Sequence, residues 1–181
     1  MGKEAAMVQK AAIFASQAHE GKVRKGTKIP YIIHPLETAA IVSGLTGDEA
    51  VICAALLHDV IEDTQVTYEE LLEQFGNRVA GLVRFESEDK SKSWQERKAE
   101  TIRHLENASR EAKMICLGDK LSNLRSTAAD RMMKGEEVWK KFRETDKRKH
   151  EWYYREILGQ LSEFSETPAY QEYLGLMQLL F

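Results

Sequence analysis

His58-Asp59-Val60-Ile61-Glu62-Asp63-Thr64 sets an imidazole and three carboxylates directly after the apolar run Ile52-Cys53-Ala54-Ala55-Leu56-Leu57. On a helix, His58 and Glu62 are four residues apart, Asp59 and Glu62 three, and Asp59 and Asp63 four, so these side chains share a face. Like charges crowded beside a hydrophobic core are costly unless something neutralises them. A divalent cation does so most directly, being often the largest local charge in such a site. Further ligands must then come from other segments. His34 stands just before Pro35, which restricts its backbone and helps fix its direction. Asp119 is embedded in the apolar helical stretch Ile115-Cys116-Leu117-Gly118-Asp119-Lys120-Leu121. Two imidazoles and two carboxylates suit Mn²⁺, Fe²⁺ or Zn²⁺, and the lack of nearby cysteine ligands removes a structural zinc site. Singly, each residue has an ordinary structural reading: a histidine before proline is usually hydrogen-bonded, an acidic helix end is usually solvated, and Asp119 can pair with Lys120 or Arg125. Together, with adjacent His58-Asp59 closing an apolar helix, they point to a metal.

The elements that must position these residues are helical. Proline occurs at 30, 35 and 168 only, strand-like alternation is scarce, and helical periodicity runs through most of the chain, which predicts an all-α fold. A first helix is expected over 3–20, then a loop over 21–33 ending in an extended-looking Tyr31-Ile32-Ile33. Pro35 suits the first turn of a helix over 35–44, and Asp48 is an N-cap for a helix over 49–61. Thr67 with Glu70 forms a capping-box pattern for a helix to Phe75. Gly76-Asn77 breaks it before a short helix to Arg84. The polar stretch 86–93 reads as a loop. Helices follow over 94–107, 111–130, 136–143 and 146–165, and Pro168 opens a last one that ends at Phe181.

At 181 residues, without a linker or internal repeat, the chain reads as one domain over 1–181. A net charge of −3 argues against a general nucleic-acid binder but leaves room for a local basic patch. Cys53 and Cys116 lie in apolar surroundings and read as buried thiols. Neither a signal peptide nor a membrane-spanning run is visible, so a cytoplasmic protein is expected, without a membrane partner.

His34, His58-Asp59 and Asp119 match the H…HD…D pattern of HD-domain metal-dependent phosphohydrolases. Tyr31-Ile-Ile-His34-Pro35-Leu36, Ala54-Ala-Leu-Leu-His58-Asp59-Val-Ile-Glu62-Asp63-Thr64, Phe75-Gly76 and Asp119-Lys-Leu-Ser-Asn123-Leu-Arg125 resemble, more narrowly, the hydrolase domain of the RelA/SpoT alarmone enzymes over roughly residues 10–160. With no room for a synthetase domain, the chain resembles the stand-alone small alarmone hydrolases, a group that includes the metazoan SpoT homologues.

The resemblance implies an HD-domain helical fold and hydrolysis of guanosine 3′,5′-bis(diphosphate), or its pentaphosphate relative, to GDP or GTP plus pyrophosphate, with Mn²⁺ as the typical metal. It makes His34, His58, Asp59 and Asp119 the ligands and Glu62 and Asp63 the catalytic carboxylates. It matches Arg24 and Lys25 to basic positions near the guanosine end and Asn123 to a ribose- or phosphate-contacting asparagine. Lys149 and Tyr153 match a basic residue and a tyrosine one turn later, while Lys98 and Trp139 are weaker candidates. Two departures stand out: the family commonly has alanine before the third-motif aspartate and histidine or tyrosine before the asparagine, where this chain has Gly118 and Ser122. Another HD phosphohydrolase acting on a different nucleotide remains an alternative, as does a nucleotide-binding module without catalysis.

Overall fold

The computed structural model describes residues 3–86 and 91–181, and its regular structure there is helical apart from one isolated antiparallel bridge between Val23 and Pro30. Among the described residues, nine α-helices run α1 Lys3–Ala18, α2 Ile33–Ser43, α3 Glu49–Leu57, α4 Val60–Asp63, α5 Tyr68–Glu86, α6 Trp94–Glu106, α7 Arg110–Lys134, α8 Lys147–Gln160 and α9 Pro168–Leu180, with 3₁₀ turns at Gly135–Lys141 and Ser162–Phe164. No helix among the described residues is long and apolar enough to cross a membrane.

The 25-residue helix α7 is the axis of the molecule. Ala112 and Ile115 near its start join an apolar cluster with residues of α1, α2, α3 and α5. Cys116, Leu117, Leu121 and Leu124 face a second cluster with residues of α6, α8 and α9. The helix α2 lies along α7 and α3, so His34 near its start, the end of α3 and the middle of α7 meet. Gly118 makes the α2–α7 approach possible: a Cβ there would stand 2.9 Å from Val42 Cγ2 and 3.0 Å from the Thr38 carbonyl oxygen. Helix α3 is fixed at its start, where Asp48 caps it by accepting from the Ala50 amide at 3.0 Å. Arg78 of α5 bridges Asp48 and Glu111, at 2.6 and 2.5 Å, tying that end to α5 and α7.

Several boundaries differ from the sequence expectation. Tyr31-Ile32-Ile33 is not extended: Ile32 has φ −54° and ψ −24°, and helix α2 begins at Ile33. The helix expected over 49–61 is interrupted at His58-Asp59 before the short α4, where the Asp59 backbone, at φ −97° and ψ −4°, departs from regular helix geometry. The break at Gly76 is a kink inside α5, taken by glycine at φ +81°, a value that side-chain-bearing residues rarely adopt. Only half of the Thr67–Glu70 pattern is seen, the Thr67 hydroxyl accepting from the Glu70 amide at 3.2 Å. A complete capping box forms instead between Ser93 and Glu96 at the start of α6. The stretch over 136–143 is 3₁₀ rather than α, and the helix over 146–165 ends at Gln160. Of the loop expected over 86–93, residues 87–90 lie outside the described residues, and Glu86 ends α5. Both cysteines are buried thiols, and burial pushes Cys53 up to about 12.

Candidate active site

His34 of α2, His58 and Asp59 at the α3–α4 corner and Asp119 of α7 converge on one point. The two Nε2 atoms are 3.2 Å apart. Asp59 Oδ2 lies 3.4 Å from His34 Nε2 and 3.1 Å from His58 Nε2; Asp119 Oδ1 lies 3.2 and 3.8 Å from the same atoms. Both imidazoles are buried, each 2% exposed.

The outer nitrogens decide what this cluster can hold. His58 Nδ1 is 2.8 Å from the Ala55 carbonyl oxygen, which only accepts, so Nδ1 carries a proton. His34 Nδ1 is 2.8 Å from Ser122 Oγ, whose own proton goes to Glu37 Oε2 at 2.6 Å, so His34 Nδ1 is also the donor. The neutral rings therefore point bare Nε2 lone pairs at each other and at two carboxylates. Such an arrangement needs a proton or a cation at its centre. Ligand atoms of His34, His58 and Asp59 all lie within 4.8 Å of one another, and the donor set fits a divalent metal.

The electrostatics agree. Burial alone would lower His58, but Asp59 and Asp119 push it up to about 10. Burial would raise Asp59, and the two imidazoles hold it well below the usual carboxylate range instead. Burial would likewise raise Asp119, yet the Lys120 ammonium and both imidazoles hold it low. Lys120 bonds Asp119 Oδ2, so the ordinary pairing considered for Asp119 occurs alongside the cluster rather than in place of it.

Glu62 and Asp63 line the cleft of about 190 Å³ above the cluster, together with Tyr31, Arg97, Lys98, Lys120 and Asn123. The Tyr31 hydroxyl is 2.5 Å from Asp59 Oδ2 and 3.1 Å from Asp63 Oδ2, sharing one proton between them. Burial and the Asp59 charge push Tyr31 far up, so it stays a donor. Asn123 donates to Asp119 Oδ1 at 2.6 Å and accepts from Arg24 at 2.9 Å. Lys25 lines an adjoining cleft of about 380 Å³ with Trp94, Phe142 and Arg143, and Asp63, Arg97 and Lys98 face both clefts.

Lys149 and Tyr153 are placed less directly. Lys149 pairs with Glu144 at 2.5 Å and lines neither cleft. Tyr153 is buried under the Lys98 and Lys120 ammonium groups, 4.8 and 5.8 Å from its ring centre. Trp139 is buried among Phe142, His150 and Phe181. Lys98, the weaker expectation, faces both clefts. Sequence reasoning gave no role to Tyr31, Trp94, Arg97 or Arg143, and gave Lys120 only a pairing with Asp119. Tyr31 and Lys120 were within reach, since one opens the motif that contains His34 and the other adjoins Asp119. Trp94, Arg97 and Arg143 carry no local signal.

Comparison with known proteins gives a consistent result. The HD domain family matches residues 11–147. The chain is 44% identical over 129 residues to the guanosine-3′,5′-bis(diphosphate) 3′-pyrophosphohydrolase MESH1 of Xenopus tropicalis, covering 69% of this chain and 72% of that protein. It is 41% identical over 128 residues to MESH1 of Homo sapiens, with the same coverage. Its fold is similar to the solved structure of a metazoan ortholog of SpoT that hydrolyses ppGpp, with a TM-score of 0.81 and 28% identity, covering 96% of this chain and 95% of that one.

Proposed function

This chain belongs to the HD-domain family, on the branch of the MESH1 hydrolases, and we propose that it removes the 3′-diphosphate of guanosine 3′,5′-bis(diphosphate) or the pentaphosphate, releasing GDP or GTP and pyrophosphate. The observation that carries the reading is the cluster itself: two inward Nε2 atoms and two carboxylates beneath a cleft lined by two further carboxylates and by cations. We take His34, His58, Asp59 and Asp119 to hold the metal, and Mn²⁺ to be that metal. Bound there, it would supply charge to offset that of the attacked phosphoryl group and acidity to the attacking water.

The rest of the chemistry falls to the chain. Glu62 and Asp63, one turn from Asp59, can take a proton from the attacking water and return one to the departing 3′-oxygen. Tyr31 holds Asp63 in register with Asp59 through the shared proton. Lys98, Arg97 and Lys120 line the cleft where diphosphate oxygens would lie. The adjoining cleft, with Lys25 and Arg143 beside Trp94 and Phe142, suits the remaining diphosphate and the base, since cations bind phosphate and aromatic faces stack on a purine. Arg24, fixed by Asn123, stands on the side of Tyr31, its guanidinium 5.8 Å from that ring. Lys149 and Tyr153 act behind these groups in this reading, Tyr153 by supporting Lys98 and Lys120. Because α7 belongs to both apolar clusters, residues 1–181 read as one catalytic unit.

Product analysis tests the reading. Guanosine tetraphosphate incubated with the protein and Mn²⁺ should give GDP and pyrophosphate, and a chelator should stop it. Glu62→Ala and Asp63→Ala should each lower turnover by about 10²–10⁴ while Mn²⁺ binding stays within a few-fold. Single phosphate release, or turnover only of another nucleotide, would leave an HD phosphohydrolase of different specificity. Metal lost along with turnover would mean the carboxylates are ligands.

A further inference from the structure

The two cluster histidines are oriented by different means. His58 relies on a backbone carbonyl, which no side-chain change removes. His34 relies on a side chain, Ser122, and the hydrogen bonds continue beyond it. Ser122 donates to Glu37 Oε2 at 2.6 Å, and Arg125 donates to Glu37 Oε1 at 3.0 Å. Arg125 is itself held in a fork by Glu172 of α9, with both contacts at 2.6 Å. A serine inside a helix commonly turns its hydroxyl back to the carbonyl four residues earlier. Here, buried at 1% exposure, it reaches across to α2 instead.

We infer that Ser122 and Glu37 form a positioning relay that fixes the His34 tautomer and thereby sets the metal affinity of the cluster, with Arg125 and Glu172 anchoring its outer end. The inference rests on the metal reading of the site. Glu37 is acceptor-only when ionised, so the Ser122 proton is committed to it. The Ser122 oxygen then has only its lone pairs to offer, and His34 must present N–H at Nδ1 and a lone pair at Nε2. Without the hydroxyl, His34 can move its proton to Nε2, where it blocks the position a metal would take. Second-sphere partners of this kind typically govern metal affinity by about 10–100-fold.

The experiment is a Mn²⁺ titration of the metal-free full chain, with free ion followed by its electron paramagnetic resonance signal. It needs no nucleotide, so it is independent of the substrate assignment. Ser122→Ala should bind Mn²⁺ about 10–100-fold more weakly than the parent. Glu37→Gln keeps an acceptor but loses the charge, and should fall between the two. Because the residues act in series, the double variant should bind no more weakly than Ser122→Ala alone. Thermal melting of the metal-free variants checks the fold. If Ser122→Ala does not fold, Glu37→Gln, whose side chain is partly exposed, carries the test. Parent-like affinity in the folded variants, or losses that multiply in the double variant, would overturn the relay alone. A parent that binds no Mn²⁺ would overturn the relay and the metal reading together.

Discussion

At His58, burial would favour the neutral ring, yet the Asp59 and Asp119 carboxylates outweigh it and push the group up to about 10. Its Nδ1 proton is committed to the Ala55 carbonyl, so the extra proton sits on Nε2, facing His34. In the metal-free protein this raised value contributes stability that is complete below the unfolded value near 6.5 and is lost as pH climbs toward about 10. A cation entering the cluster must displace that proton. Adding Mn²⁺ to the metal-free protein near neutral pH should therefore release about one proton per ion, and affinity should rise roughly tenfold per pH unit below about 10. A pH indicator in weak buffer reads the first and titrations at several pH values the second; binding without proton release would refute the assignment of the proton to Nε2. Adjacency made His58-Asp59 and the carboxylates after them legible in the sequence, because one turn of chain fixes their relation. Tyr31 was not legible as a group acting on Asp59 and Asp63, since that role arises only when the loop before α2 folds against the corner. Lys149 keeps the one-turn spacing to Tyr153, but its ammonium pairs with Glu144, a residue of the adjoining cleft, and that pairing could not be read from the spacing.

Helices were legible wherever apolar periodicity ran unbroken, as through α7, and their ends where a capping side chain was obvious, as at Asp48. The sequence was silent on how closely two helices approach, and that distance decides the role of Gly118. Alanine is the better helix former by about 1 kcal/mol, so helix propensity alone would favour Gly118→Ala. The packing opposes it: the added carbon would sit 2.9 Å from Val42 Cγ2, on a stiff β-branched side chain, and 3.0 Å from the Thr38 carbonyl oxygen, part of the α2 backbone. Overpacking of this kind costs about 1–3 kcal/mol, which exceeds the propensity gain over most of that range. Gly118→Ala should thus lower the melting temperature of the metal-free protein. It should also weaken Mn²⁺ binding, because relieving the clash moves α2, with His34, away from Asp119. A variant that melts higher than the parent and binds Mn²⁺ equally well would show that the two helices can separate without cost.

Across the whole molecule, the four cluster residues come from elements that the apolar cores join only in part. His34, His58 and Asp59 stand on α2 and the α3–α4 corner, on the side of the first apolar cluster, while Asp119 stands on α7, which both clusters share. A cation at their meeting point would replace the proton on His58 and cross-tie these elements through four side chains rather than one shared proton. Since the unfolded chain has no such convergence, binding should appear directly as folding stability. Free Mn²⁺ at a hundred times its dissociation constant should add about 2.7 kcal/mol. For a chain of this size each kcal/mol shifts the melting temperature by about 2–4 °C, so a rise of roughly 5–10 °C is expected, reversed by chelator. The same addition to His58→Ala should raise it far less, because that variant loses one of the two inward nitrogens. A parent that binds Mn²⁺ in titration yet melts at the same temperature with and without it would mean that the ion binds the unfolded chain as well, or sits away from the point where α2, the corner and α7 meet.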